Sequence, residues 1–163
     1  MTCICLAGDV LAPSGYASAL RDHIKALIIH GKMKPGQEIT IEQHNHDKLN
    51  RASLDSWWKE HLPILVRPNK PTLKVHYETP EFFKFNDIPV IGYTYWETSR
   101  ILNTNYNNRP EFNWVNQMNQ CATMYTACNY AAQSFKDSGV TVPISVFPWP
   151  INPIFLEDVE VLS

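Results

Sequence analysis

The segment Ala12-Pro13-Ser14-Gly15-Tyr16 has the strongest potential for chemistry in this chain. It lies between an apolar run at 3–11 and a stretch whose apolar residues recur at helical spacing, which predicts a strand-to-helix turn. The first N–H groups of a helix point outward with a partial positive charge and favour anions. The chain contains neither a G-x-G-x-x-G fingerprint nor a Walker loop, so this single glycine has either a structural or a ligand-binding role.

The segment His44-Asn45-His46-Asp47 places two imidazoles and a carboxylate close together, as some metal sites do. Three adjacent candidates without a distant fourth ligand are more typical of a solvated loop, so no metal site is predicted. The four cysteines, at 3, 5, 121 and 128, have no Cys-x-x-Cys spacing. We therefore predict buried free thiols and not a zinc site, redox pair or disulfide.

The composition excludes several classes of partner. The chain has 163 residues and a formal net charge of −2, without a basic run, which argues against nucleic acid and anionic membranes as partners. No window approaches the roughly 18–20 apolar residues of a transmembrane helix. The N-terminus lacks the basic region of a signal peptide and carries Asp9 early, so it predicts a buried first strand in a cytoplasmic protein.

The hydrophobic pattern alternates between strands and helices, which is typical of βαβ units. Strands are predicted at 3–11, 38–43, 73–77, 88–95, 123–128 and 144–147. The later helices are expected to follow caps at Ser53 and Asn129 and to begin at Pro110, with Pro63 ending one early and Gly139 closing the last. We predict one Rossmann-like α/β domain over 1–147, with a mostly parallel sheet and helices on both faces. A Pro-rich linker and tail follow at 148–163.

Five blocks of the sequence are informative when they are read together. They are Pro13–Arg21, Ile91–Arg100, Trp114–Cys121, Cys128–Val140 and Val142–Pro148. In this order, over nearly the whole chain, they resemble the N-terminal half of glycosyltransferases of family 4. The resemblance implies one half of a GT-B fold, in which two Rossmann-like domains flank a cleft. It implies the acceptor-side half, with the C-terminal donor-binding domain absent.

Members of that family transfer a sugar from a nucleotide sugar with retention of configuration, usually without a structural metal. By this resemblance Ser14, Gly15 and Tyr16 match the loop that approaches the donor diphosphate. No cofactor is expected beyond the nucleotide-sugar substrate. The chain departs from the family at Pro148–Pro153, where Trp149 and Pro150 replace a histidine and a glycine of the usual hinge.

Four further side chains are candidates for the acceptor pocket or the cleft edge. His76 lies near a strand end and either contacts an acceptor hydroxyl or packs on the sheet. Glu97 matches the family's cleft edge and either accepts hydrogen bonds from hydroxyl groups or pairs with Arg100. Trp96 either stacks on a sugar face or belongs to the core.

Two functions are consistent with these observations. The first is the acceptor-binding half of a retaining glycosyltransferase, which binds a sugar or glycan acceptor and needs a donor-binding domain, in the same chain or another, for catalysis. The alternative is a catalytically inactive binding or structural module derived from such an enzyme and working in a larger assembly.

Overall fold

The computed structural model describes residues 2–45, 52–66, 70–101, 108–110 and 113–149. Within these ranges six strands form one sheet, and all neighbouring strands are parallel. The strands are β1 (Ile4–Gly8), β2 (Ile39–Gln43), β3 (Leu73–Tyr77), β4 (Val90–Tyr93), β5 (Thr123–Thr126) and β6 (Ile144–Val146). The helices are α1 (Gly15–Ile29), α2 (Ser56–Leu65), α3 (Trp114–Met118) and α4 (Asn129–Asp137), with a 3₁₀ turn at Pro80–Phe82. The predicted Rossmann-like α/β fold is confirmed.

The strand order creates a crevice at one edge of the sheet. The strands lie side by side in the order β2-β1-β3-β4-β5-β6. The chain therefore moves outward from β1 to β2 and then crosses back to β3 on the other side of β1. Open parallel sheets bind their ligands at such a reversal, beyond the carboxyl ends of the strands. The fold thus places the loops after β1 and β3 next to each other.

Two apolar cores lie on opposite faces of the sheet. Leu6, Ile41 and Val75 are in register and pack against α1 and α2. Val90 and Met124 belong to the other face, where they pack with residues of α3 and α4. Side chains alternate between the two faces along a strand, so both faces of this sheet are apolar. Helices cover both of them, as predicted.

Several predicted helix ends are wrong by a few residues. The cap of α2 is Asp55, whose carboxylate accepts from the Trp58 N–H at 3.0 Å, and not Ser53. Pro63 does not end α2 early, because the helix continues to Leu65, whose buried side chain anchors its last turn. Local signals compete with tertiary packing at such ends.

The C-terminal half shows the same pattern. Pro110 does not begin α3, which starts at Trp114 after an Asn113 cap that accepts from the Asn116 N–H at 3.0 Å. Asn129 is the first residue of α4, and its predicted capping role is wrong. Gly139 closes α4 as predicted, with a φ of +101° that favours glycine.

Two composition-based predictions can be compared with the described part of the chain. All four cysteines are free, as predicted, and those at 3, 5 and 121 are buried. Cys128 is exposed, so the prediction of a buried thiol is wrong there. None of the described helices is long and apolar enough to span a bilayer.

Candidate functional site

A cavity of about 300 Å³ lies where the strand order reverses. Ser14, at the end of the loop after β1, and Tyr16, in the first turn of α1, line its wall, and the segment after β3 contributes Glu78, Thr79 and Phe82. It is a concave site of the size that small ligands occupy, at the edge where parallel sheets bind them. The predicted loop therefore lines a cavity at the switch point.

Ser14 caps α1 and orients its first turn. Its hydroxyl accepts a hydrogen bond from the Ala17 N–H at 3.2 Å, and its carbonyl accepts from the Ser18 N–H at 3.0 Å. The N–H groups of Gly15 and Tyr16 come earlier in the helix and have no intrahelical acceptor. This helix end is thus electrostatically suited to an anion at the cavity mouth.

Gly15 is required here by a contact within the protein. A Cβ on Gly15 would lie 2.5 Å from the Tyr95 hydroxyl and 3.6 Å from the Trp149 ring. The space beside the Gly15 Cα is therefore taken by the protein, and donation from the Gly15 N–H to a diphosphate stays a prediction.

The Tyr16 side chain is held in place by contacts with the residues that follow β4. Its hydroxyl donates to the Tyr95 carbonyl at 3.2 Å and lies 2.7 Å from the Thr94 hydroxyl. Its ring stacks on the Tyr95 ring with centroids 4.4 Å apart. Burial outweighs these hydrogen bonds and raises the pKa of Tyr16 to about 12, so the phenol stays protonated.

A second cavity, of about 260 Å³, adjoins the first and shares Tyr16 and Thr79 with it. Trp96 and Glu97 also line it. Trp96 is half-buried and packs edge-to-face on Trp114 with centroids 4.8 Å apart, so it belongs both to the core margin and to the cavity. The structure thus brings the predicted loop and the predicted cleft edge together.

Glu97 and Arg100 are both exposed at the rim. Between these two described residues there is no ion pair, so the predicted alternative of a Glu97–Arg100 pair is wrong. Arg100 contributes its backbone instead, because its carbonyl accepts from the Trp96 indole N–H at 3.1 Å. Glu97 therefore presents its carboxylate to solvent at the cavity mouth.

His76 lies within β3, below the carboxyl edge of the sheet, and lines neither of these two cavities. It is fully buried, with Nδ1 2.6 Å from a Glu78 carboxylate oxygen. Its Nε2 lies 3.0 Å from the Lys84 carbonyl and 3.1 Å from the Lys84 N–H. In this geometry the side chain packs on the sheet, and contact with an acceptor hydroxyl stays a prediction.

His44 is buried, and its expected place in a solvated loop is wrong. It follows β2 directly, and its ring is within hydrogen-bonding distance of two carboxylates. Nδ1 lies 2.8 Å from Glu78 and Nε2 lies 3.0 Å from Glu42. Glu42 also pairs with the buried Lys74 ammonium at 2.6 Å. His46 and Asp47, the other members of the predicted segment, lie outside the described residues.

These contacts join β2 and β3 through a buried ionic cluster. We call it the edge cluster, and its members are Glu42, His44, Lys74, His76 and Glu78. Burial raises the pKa of Glu78, but hydrogen bonds from the two histidines outweigh burial and lower it to about 2. Burial lowers the pKa of His44, but the hydrogen bond and charge of Glu78 outweigh burial and raise it.

Sequence reasoning missed three residues of this edge and misplaced a fourth, His44, although a simple signal could have identified all four. Four buried polar residues each follow directly after one of the first four strands. They are Asp9, His44, Glu78 and Thr94. The carboxyl ends of parallel strands meet at one edge, so polar residues at these positions must lie near each other.

The departure from the family pattern at Trp149 has a defined place beside the site. The Trp149 indole N–H donates to the Asp22 carboxylate on α1 at 3.2 Å, and its ring lies 6.2 Å from the Tyr95 ring. The segment after β6 therefore returns to the loop after β1. Residues 150–163 of the predicted linker and tail lie outside the described residues.

Comparison with known proteins adds no assignment to this geometry. No protein-family model, no curated protein and no solved structure matches the chain.

Proposed function

We propose that this chain is the acceptor-side domain of a retaining glycosyltransferase and holds a sugar in the two adjoining cavities. The observation that carries the proposal is that these cavities meet at Tyr16, at the switch point of a Rossmann-like sheet. Sugars are bound by aromatic faces together with carboxylates that accept from hydroxyl groups. Trp96 and Glu97 supply both groups in the second cavity.

The first cavity supports a role for the nucleotide-sugar donor as well. The capped start of α1 borders it and stabilises negative charge that develops on a leaving diphosphate. We propose that most of the donor is held by a second domain, in the same chain or another, and that transfer needs both. The free cysteines fit the reducing cytoplasm, where we propose that the protein acts.

Replacement of Trp96 by alanine tests sugar binding directly. We expect the full chain to bind UDP-glucose or GDP-mannose weakly, with saturation transferred to the sugar protons in an NMR difference experiment. Trp96→Ala is expected to weaken this binding about tenfold, because about 1.4 kcal/mol of ring contact is lost.

Trp57→Ala is the matched control, because Trp57 is a half-buried indole on α2 that stacks on His61 away from both cavities. It is expected to leave the saturation transfer unchanged. Absence of transfer from either nucleotide sugar, or an equal signal in Trp96→Ala and the unmodified chain, would count against the proposal. Release of nucleoside diphosphate is expected only when a donor-binding domain is added; sugar binding without that release would favour the inactive binding module.

A further inference from the structure

Three buried ligand atoms converge between the ends of β2 and β3. A ring nitrogen of His44, a ring nitrogen of His76 and a carboxylate oxygen of Glu78 all lie within 4.8 Å of one another. Nδ1 of His44 lies 2.8 Å from one Glu78 oxygen and Nδ1 of His76 lies 2.6 Å from the other. We propose that these three residues form a binding site for a divalent transition-metal cation such as Zn²⁺. The proposal is independent of the proposed glycosyltransferase role and departs from the sequence-based expectation of no metal.

The outer nitrogens of both histidines have the partners that metal-bound histidines have. Nε2 of His44 lies 3.0 Å from the Glu42 carboxylate, and Nε2 of His76 lies 3.0 Å from the Lys84 carbonyl. Histidines that bind a metal almost always donate their other N–H to a carboxylate or a backbone carbonyl, which fixes the ring orientation. With both Nε2–H groups donating, both Nδ1 lone pairs face the Glu78 carboxylate, one toward each oxygen.

The same geometry is satisfied without a metal when protons occupy that centre. His44 is then doubly protonated between Glu42 and Glu78, while His76 donates from Nδ1 and accepts from the Lys84 N–H at 3.1 Å. A cation therefore replaces protons, and its binding moves the His76 proton from Nδ1 to Nε2, gives up the hydrogen bond from the Lys84 N–H and moves Glu78 slightly away from the two rings. Coordinating histidines must release their proton from the ligand atom, so metal and proton compete here.

The surrounding charges permit a cation in this position. The Lys74 ammonium is paired with Glu42 at 2.6 Å, so its charge is compensated within the edge cluster. The Lys84 ammonium lies 3.4 Å from His44 Nε2, but its side chain is exposed and can turn into solvent. Glu78 supplies the anionic charge beside the two neutral imidazoles.

The ligand types select the metal. Two imidazoles with one carboxylate suit Zn²⁺, Co²⁺, Ni²⁺ or Fe²⁺, whereas Mg²⁺ and Ca²⁺ prefer oxygen ligands. Glu78 also lines the switch-point cavity, so a bound cation would border the space where a ligand enters. Three-ligand zinc sites of this composition leave a coordination position for water or a substrate oxygen.

Calorimetric titration of the chelator-treated full chain with Zn²⁺ tests the site. We expect one Zn²⁺ per chain and, with Co²⁺ as a probe, visible absorption bands typical of nitrogen and oxygen ligands. His44→Gln and His76→Gln are each expected to weaken Zn²⁺ binding at least about tenfold, and Glu42→Ala about 10–100-fold through loss of the outer hydrogen bond. His30→Gln, at the exposed C-terminal end of α1, is the control and is expected to bind Zn²⁺ unchanged.

Because His44 and His76 are buried, circular dichroism must show that each variant is folded. A second measurement needs no variant: nitrogen NMR of the unmodified chain is expected to show Zn²⁺ shifting Nδ1 of two histidines and leaving the His30 and His61 rings unchanged. Absence of Zn²⁺ binding to the unmodified chain overturns the proposal. So does full binding by folded His44→Gln and His76→Gln, or a shift confined to other histidines.

Discussion

Glu78→Ala is expected to lower the free energy of unfolding by about 3–5 kcal/mol. The Glu78 side chain is buried and accepts from His44 at 2.8 Å and from His76 at 2.6 Å. Removing it takes the carboxylate from the Nδ1 atoms of two buried imidazoles, and only the half-exposed Glu42 carboxylate then remains beside His44. Breaking a buried pair from one side is among the few single changes that cost so much.

Urea denaturation with a chelator present, followed by circular dichroism, measures this loss. Glu60→Ala is the matched control, because Glu60 is an exposed carboxylate on α2 and its loss is expected to cost no more than about 0.5 kcal/mol. Glu78→Gln keeps the shape of the side chain and is expected to lie between the two. A loss below about 1 kcal/mol in Glu78→Ala would show that the edge cluster does not stabilise the fold.

The fold class is predictable from this sequence because each central strand is a short apolar run. Strands buried on both faces have such runs, and the intervening amphipathic segments must then cross from one strand to the next. The 3–11 run became β1 at Ile4–Gly8, and the 73–77 run matches β3 at Leu73–Tyr77. The boundaries are less predictable, because packing of residues such as Leu65 decides how far a helix continues past a proline.

The candidate site is predictable only in part, for a reason of sequence distance. Local pattern places Ser14 and Glu97 after strands, and both line the cavities at the carboxyl edge. The edge cluster joins His44 to Glu78, which are 34 residues apart, and only the register of β2 against β1 and β3 brings them together. Local reading instead grouped His44 with His46 and Asp47 and assigned all three to solvent.

The same limit applies to Gly15. Its lack of a side chain favours close approach, but the sequence does not say what approaches. The structure gives Tyr95, 80 residues away in the chain, because β1 and β4 both end at this edge. A glycine in a strand-to-helix turn therefore predicts a contact more reliably than it predicts the partner.

A buried histidine elsewhere in the fold leads to the second large effect. His23 lies on the inner side of α1 at 4% exposure, with its ring 4.8 Å from the Phe147 ring and 5.4 Å from the rings of Tyr77 and Tyr93. Neither ring nitrogen makes a well-formed hydrogen bond within the described residues, although backbone groups of Pro148 and Ala19 lie near the ring. A buried polar group without a partner costs about 1–3 kcal/mol, and an apolar group of similar size avoids that cost.

His23→Met is therefore expected to raise the free energy of unfolding at pH 7 by about 1–3 kcal/mol, and by more in acid. Burial lowers the pKa of His23, and the Pro148 backbone, the Asp22 charge and the Ala19 backbone offset this only in part. Below about pH 6.5 the unfolded chain binds a proton at His23 that the folded chain does not bind, so the free energy of unfolding falls as the pH falls.

Urea titrations at about pH 7 and 5 measure this effect. Between these two pH values the free energy of unfolding is expected to fall less in His23→Met than in the unmodified chain. His30→Met, on the same helix but exposed, is expected to change neither value; equal pH slopes in His23→Met and the unmodified chain would contradict this account.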